Sequence, residues 1–416
     1  MPARRLAARW VLPVAAPPIE CGAVLIGRDG RIEAVGPDPL VPRPAGVPGE
    51  SFPDAILIPG LVNAHTHLEL TGFDFGAPPE PDFRTWIAGV RRVKETRNTD
   101  EFMDAVRTGV LECWAGGVTT VGDTGDTGSA IRALAELGGS GVVYQEVFGP
   151  HPSQVGQSLA GLQRRVDELG RWQTGRVRLG VSPHAPYTVS GPLYAAVAAW
   201  AEAEDLPIAV HLAESPAESE LLGRGAGPFA EAWRERGIPL PTMPGCSPVE
   251  WLDRHGVLGE RTLCIHVVQA HQPDLERLGR RGASVAHCPL SNAAHGHGAA
   301  PLAGFLAQGI RVGLGTDSAL SVGSPDLLAE ARAARGLAGL DADAALALAT
   351  LGGAQALRLE REIGSLEPGK LGDCAVLLPR ASAGGPAEQV LDSRREDVVA
   401  TFLGGRGVYR AEPVGA

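Results

Sequence analysis

The sequence predicts an α/β fold: a metal-dependent, TIM-like (β/α)8 barrel over residues 58–361, carrying a small composite β-sandwich domain from residues 1–57 and 362–416. Three observations lead there. The middle of the chain alternates short apolar runs with helix-like segments, the pattern of parallel βα units. Polar residues able to bind a metal or move protons fall at the C-terminal ends of those runs, the face where barrels carry their sites. The two ends of the chain hold short strands separated by turns instead.

The elements follow in order. Trp10-Val11-Leu12, "GAVLIGRDGRIEAVG" and "AILIPG" read as strands, with Asp29-Gly30 as a hairpin turn. The barrel runs are residues 55–67, 117–125, 140–147, 176–184, 206–214, 261–268, 283–291 and 310–318. Segments such as "SAIRALAELGG" and "GPLYAAVAAWAEAEDL" supply helices between them. Eight units over about 260 residues is the size of such a barrel. An open doubly wound sheet is disfavoured, because no G-x-G-x-x-G follows a first strand. Two long connections, 68–116 and 215–260, are placed to cover or line a site. The tail returns to strands with "IGSLEPGKLGDCAVLL" and "VVATFLGGRGVYR".

Composition narrows the function classes. Apolar residues make up 44%, enough for a sizeable core, and the net charge of −11 argues against broad nucleic-acid binding and anionic membranes. The six cysteines form no C-x-x-C pair and read as buried thiols of a reducing compartment. No run reaches the ~18 apolar residues of a membrane helix. The N-terminal "MPARRLAARWVLPVAAPP" imitates a signal peptide, but Pro13 interrupts its apolar stretch, so a first strand and a cytoplasmic protein are expected.

The polar residues at the strand ends carry the chemistry. The first strand ends in His65 and His67, which share a face because i and i+2 point the same way. The fourth ends in His184, the fifth in His211 and Glu214, the sixth in His266, the seventh in His287 and the eighth in Asp317. His65, His67, His211 and Asp317 offer three imidazoles and one carboxylate, a set that suits one divalent ion with a position left for water. Zinc is the first choice and iron also fits. Such an ion makes hydroxide available near neutral pH. Glu214 is placed to give or take a proton, and His266 could hold the hydroxide in line.

"HTH", "HLAE", "IH", "HCPLSN" and "GTDS", together with the tail pattern, resemble the amidohydrolase superfamily in its deaminase and chlorohydrolase branch. The resemblance spans nearly the whole chain. It implies metal ligation by His65, His67, His211 and Asp317, ring protonation by Glu214, steering of hydroxide by His266 and proton movement by Asp317. It implies no carboxylated lysine bridge. Within the branch, "HTHLELTG", "FRTWI", "SPHAPYTVS" and "HLAESPAESELLGRGAGPF" are similar to the 6-amino-6-deoxyfutalosine deaminases of menaquinone synthesis. The expected partner is then a small purine nucleoside, with no nucleic acid and no membrane; a homodimer is one assembly open to the chain.

Substrate contacts are assigned to His184, Glu69, Ser318, Trp86 and Arg84. Plain alternatives stand beside them: a helix N-terminal charge for Glu69, core packing for Phe83 and Trp86, a core histidine for His184. His295 and His297 read as a hydrated loop; relatives often carry leucine at the position of His295. Arg84 or Arg224 is the cation expected to meet a benzoate carboxylate. Rival functions are S-adenosylhomocysteine or adenosine deamination, triazine hydrolysis, and a non-catalytic barrel scaffold. The missing P-C-x-x-C and the acidic charge argue against a polynucleotide deaminase.

Overall fold

The structure is a computed structural model that describes residues 3–73, 83–241, 245–380 and 384–412. Both ends of the chain build one mixed sheet. Its strands are β1 (Arg4–Val11), β2 (Ile19–Ile26), β3 (Ile32–Pro37), β4 (Gly49–Pro59) and, from the far end, β13 (Cys374–Leu377), β14 (Val398–Leu403) and β15 (Arg406–Arg410). The order is β15-β14-β13-β4-β1-β2-β3, so β4 joins the two ends by pairing with β1 and β13. Asp29-Gly30 makes the expected hairpin between β2 and β3: Gly30 takes φ 81°, which glycine adopts without a steric penalty. Leu6, Ile26, Leu57, Val376 and Phe402 pack into one core in this sheet domain.

The remaining strands form an eight-stranded parallel sheet in sequential order. They are β5 (Leu61–Thr66), β6 (Val118–Gly125), β7 (Gly141–Val147), β8 (Val177–Pro183), β9 (Ile208–Leu212), β10 (Thr262–His266), β11 (Ser284–His287) and β12 (Arg311–Leu314). The helix Thr99–Ala115, between β5 and β6, shows how the flanking layer starts. Asn98 accepts from the amides of Asp100 and Glu101, and the Glu101 side chain returns to the Asn98 amide, a capping box. The sheet curls until its last strand meets its first. Thr66 bridges Asp317, and the amides of Thr316 and Asp317 donate to the His65 carbonyl at 3.0 and 3.1 Å.

One expected strand is two. Residues 55–59 belong to β4 of the mixed sheet, whereas 61–66 form β5 of the barrel. Gly60 is the joint: a Cβ there would lie 2.2 Å from Thr119 Oγ1, and its amide donates to the Asp373 carbonyl at 2.8 Å. Pro59-Gly60 reads as a turn-like interruption in the sequence, and both halves are buried; the pattern does not show that they belong to different sheets. Further bonds tie the sheet to the barrel. Thr401 Oγ1 donates to the Trp114 carbonyl at 2.7 Å, and Arg176 meets the buried Asp373 carboxylate at 2.5 Å. Five of the six cysteines are buried, Cys21 is exposed, and none is bonded to another. Among the described residues, no helix is long and apolar enough to cross a membrane.

Closure of the barrel depends on close backbone approach at Gly315. An added Cβ would sit 2.8 Å from His65 Cβ and 2.9 Å from His65 N and O, and the backbone atoms cannot swing aside. Gly315→Ala is therefore expected to cost about 1–3 kcal/mol, the usual range for overpacking. Gly336, exposed within the helix Leu327–Ala338 and with nothing within 4 Å of an added Cβ, is the control. Gly336→Ala should be neutral or stabilise by up to about 1 kcal/mol. Thermal unfolding of the two variants checks this; equal midpoints would contradict the closure argument.

Candidate active site

The C-terminal ends of the barrel strands bring His65, His67, His184, His211, Glu214, His266, His287 and Asp317 to one mouth. Local backbone strain marks the same place. Among the described residues eight non-glycine positions have positive φ, and Ala213, His266, Val267 and Asp317 are four of them. A β-branched residue such as Val267 pays most for this conformation, so it persists only where surrounding contacts fix it. The strain turns the strand ends so that their side chains converge.

Second partners fix the ring tautomers. His67 Nδ1 lies 2.9 Å from the Thr124 carbonyl, and His211 Nδ1 lies 3.2 Å from the His184 carbonyl. A carbonyl only accepts, so each Nδ1 carries the proton and each Nε2 presents a lone pair. Those two Nε2 atoms face each other at 3.3 Å. Asp317 Oδ1 is 3.3 Å from His65 Nε2 and 3.4 Å from His67 Nε2. Among the described residues, neither ring nitrogen of the fully buried His65 has a hydrogen-bond partner. Opposed lone pairs beside a carboxylate repel one another, and a cation among them turns repulsion into coordination. Three imidazoles and a carboxylate are also the donor set of a single zinc-like ion.

The electrostatics agree. Burial pushes His65 down to about 3 and His211 well below its ordinary value, so both rings are neutral and able to ligate. Burial alone would raise Asp317, but the His65 contact and the neighbouring imidazoles bring it well below the usual carboxylate range. Its Oδ2 accepts from Ser291 Oγ at 2.6 Å and from Ser321 Oγ at 3.3 Å, which leaves Oδ1 to the cluster. A second grouping shares a ligand with the first: atoms of Glu146, His184 and His211 lie within 4.8 Å of one another.

Glu214 sits beside this cluster and behaves oppositely. It is 4% exposed, and burial, then the charges of Asp317 and Glu218, raise its carboxyl well above the ordinary range. Glu218 holds it in place by accepting from the Ala213 and Glu214 amides at 2.7 and 3.0 Å. The Tyr187 hydroxyl reaches the same carboxyl. His266 is oriented by Asn292, whose Oδ1 lies 2.9 Å from its Nδ1, so its Nε2 lone pair faces Glu214 Oε1 at 3.6 Å.

A cavity of about 740 Å³ opens over these groups. His184, Ser318, Trp86 and Arg84 all line it. His184 is braced by Thr188 Oγ1 at 2.8 Å, and Ser318 Oγ lies 3.1 Å from Ser321 Oγ. Phe83 and Trp86 stack with centroids 6.0 Å apart and form an apolar wall. Arg84 pairs with Glu235 at 3.0 Å. Arg224 is exposed and lies outside the lining. Glu69 also lies outside it: the carboxylate is buried, accepts from Thr127 Oγ1 at 2.6 Å and meets Lys94 Nζ at 2.5 Å. Lys94 is what that segment presents to the cavity.

The hydrated loop expected at residues 295–297 is a buried one. Gly296 and Gly298, at φ 67° and 103°, fold the segment back, and Gln269 Nε2 donates to the His297 carbonyl at 2.6 Å. His295 is half-buried, with Nε2 3.1 Å from Ser321 Oγ, and His297 is 6% exposed. Glu218, Asn292, Tyr187 and Lys94 were not singled out from sequence. Only Glu218 left a signal, as the N3 acid of a helix capped by Ser215. The long connections of the barrel reach residues 74–82 and 242–244, which lie outside the described residues.

The amidohydrolase family profile matches residues 56–408. The chain is 31% identical over 348 residues to the aminodeoxyfutalosine deaminase of Deinococcus radiodurans, covering 80% of each chain. It is 31% identical over 376 residues to the 5-methylthioadenosine/S-adenosylhomocysteine deaminase of Moorella thermoacetica, covering 87% of this chain and 82% of that one. An adenosine deaminase from Xanthomonas campestris with bound zinc superposes with a TM-score of 0.83 at 26% identity, over 97% of this chain and 92% of that one. A His/Asp cluster built for one divalent ion, on a barrel matched end to end, leaves one conclusion: the chain belongs to the amidohydrolase family, in its deaminase and chlorohydrolase branch, and is a metal-dependent hydrolase of carbon–nitrogen bonds.

Proposed function

We propose that the chain deaminates the 6-amino group of a purine nucleoside, with 6-amino-6-deoxyfutalosine as its substrate, and that it serves menaquinone synthesis. The observation that carries the reaction is a buried, raised carboxyl, Glu214, set beside a cluster that demands a cation. His65, His67, His211 and Asp317 are the residues that would hold the ion. When bound, the ion supplies a water acidified toward neutral pH.

The chain's own residues do the rest. Burial favours the neutral form of Glu214, which donates to ring N1, so negative charge does not build up on the purine. The His266 Nε2 lone pair, fixed by Asn292, accepts from the nucleophile and aims it at C6. The attacking water gives up two protons: the first restores the one that Glu214 has given to N1, and Asp317 takes the second and passes it to the departing amine. Ser291, at 2.6 Å from Oδ2, keeps that carboxylate from rotating during the transfer. The products are ammonia and the 6-oxopurine. His184, Ser318 and Trp86 line the cavity, which supports reading them as contacts to the nucleoside.

The benzoate part of the substrate needs an apolar wall and a cation. Phe83, Trp86, Phe229 and Trp233 supply the wall. Of the cations in the lining, Arg84 is paired with Glu235, Arg91 with Glu95, and Lys94 with Glu69 and Asp126. Arg236 also lines the cavity and has no acidic partner among the described residues. It supports the reading better than Arg224 does. S-adenosylhomocysteine and adenosine are the competing substrates, in keeping with the names of the relatives.

Metal analysis of the purified protein should find about one divalent ion per chain, and an activity-linked count near two would contradict the mononuclear site. Glu214→Gln should keep the metal and lower kcat by roughly 10²–10⁴, the worth of general acid–base help. A loss under about tenfold would remove Glu214 from the reaction. In side-by-side assays of ammonia release, aminodeoxyfutalosine should exceed adenosine and S-adenosylhomocysteine in kcat/KM by at least about tenfold. Arg236→Ala should cut that preference by about tenfold or more, since a charge-assisted bond is worth about 1.5–3 kcal/mol. If adenosine or S-adenosylhomocysteine wins, purine deamination stands and the menaquinone assignment falls.

A further inference from the structure

His297 is a buried imidazole that the reaction above does not use. Its side chain is 4% exposed, and neither ring nitrogen has a hydrogen-bond partner among the described residues. The ring is held edge-on by Phe83, with centroids 4.5 Å apart, and stacked by His295 at 5.3 Å. The backbone is pinned at both polar groups: the amide donates to the Asn292 carbonyl at 2.9 Å, and the carbonyl accepts from Gln269 at 2.6 Å. A neutral imidazole carries one N–H, and burying it unpaired forfeits the hydrogen bond that water would have given it. So placed, the donor needs an acceptor, and Nδ1 lies 3.7 Å from Glu214 Oε1.

The other imidazole near that oxygen cannot serve as the donor. His266 commits its Nδ1–H to Asn292 Oδ1, which leaves a lone pair at the Nε2 facing Glu214. His297 has no such commitment. A glutamate carboxyl is also poorly fixed by its own torsions, because χ3 is broad. An active-site bond commonly tightens only in the substrate complex, so a separation of 3.7 Å suits a contact that closes on binding. Burial keeps the His297 ring neutral, down to about 3, so it approaches Glu214 as a dipole and not as a cation.

We propose that His297 is a positioning residue, whose Nδ1–H holds Glu214 Oε1 so that the carboxyl presents its other oxygen to the substrate ring. The same turn that orients His266 through Asn292 thereby also orients Glu214, and one segment, residues 288–298, sets both proton-handling groups. The proposal rests on the reading of Glu214 as the ring's proton donor.

Two variants test it. His297→Phe keeps an aromatic ring against Phe83 but has no donor. His297→Asn places an amide N–H where Nδ1 stands. Both are assayed for metal content, thermal midpoint, kcat and KM with the same purine nucleoside. His297→Phe should lower kcat by about tenfold or more while KM stays within about twofold, because orientation of the acid matters at the transition state and not in binding. His297→Asn should recover kcat to within about threefold of the parent, by supplying the donor without the ring. Equal losses in both variants would overturn the proposal, because shape and not the donor would then be at work. So would an unchanged kcat in a folded, metal-loaded His297→Phe protein. Glu214→Gln separates the two readings: if it loses turnover as expected while His297→Phe does not, only the His297 assignment falls. If Glu214→Gln retains turnover, both fall.

Discussion

Two lone pairs aimed at each other across 3.3 Å are the constraint on which the rest of this site depends. His67 and His211 cannot relieve it themselves, since each has its only proton tied to a backbone carbonyl. Rotation of either ring would break that bond and leave a buried polar group unpaired, at about 1–3 kcal/mol. Asp317 and His65 crowd the same space. A divalent cation resolves these three contacts at once. The cluster is therefore preorganised for metal by hydrogen bonds one step removed from it, as ligating histidines generally are.

The barrel's closure serves this cluster directly. The two strands that close it are those that end in His65 and Asp317, and their backbones are bonded at the ligands themselves. Gly315 permits that approach. Fold stability and metal geometry are thus linked at one seam. Beside it, two carboxyls a few residues beyond their strands are pushed in opposite directions. Asp317, among imidazoles, is pushed well below the usual carboxylate range, and Glu214, among apolar and acidic neighbours, is pushed well above it. Environments that separate the pKa values of neighbouring acids are how a site assigns acid and base roles.

Much of the frame was legible before any coordinates. Strand runs buried on both faces read as continuous apolar stretches, and their boundaries located the strand ends, so His65, His67, His211, His266 and Asp317 could be placed at one mouth. What escaped were features set by side chains distant in sequence. The run 55–67 shows a turn-like Pro59-Gly60, but not that its two halves enter different sheets, because both sheets bury their half. Glu69 carried a plausible substrate role, but Lys94, 25 residues away, binds its carboxylate and takes the cavity-facing place. His297 reads as a loop residue with no acidic neighbour in sequence, yet its ring is buried against Phe83 and faces Glu214, 83 positions earlier in the chain. Arg84 was a free cation on paper until Glu235, from another helix, was placed beside it. Periodicity reports which side of an element is buried; it does not report which charge will meet which.

The most direct test of this account is the position of the ion itself. Crystals of the metal-loaded protein, measured at the absorption edge of the bound metal, should give one anomalous peak per chain among His65 Nε2, His67 Nε2, His211 Nε2 and Asp317 Oδ1. A peak among Glu146, His184 and His211, or two peaks of comparable height sharing His211, would contradict it.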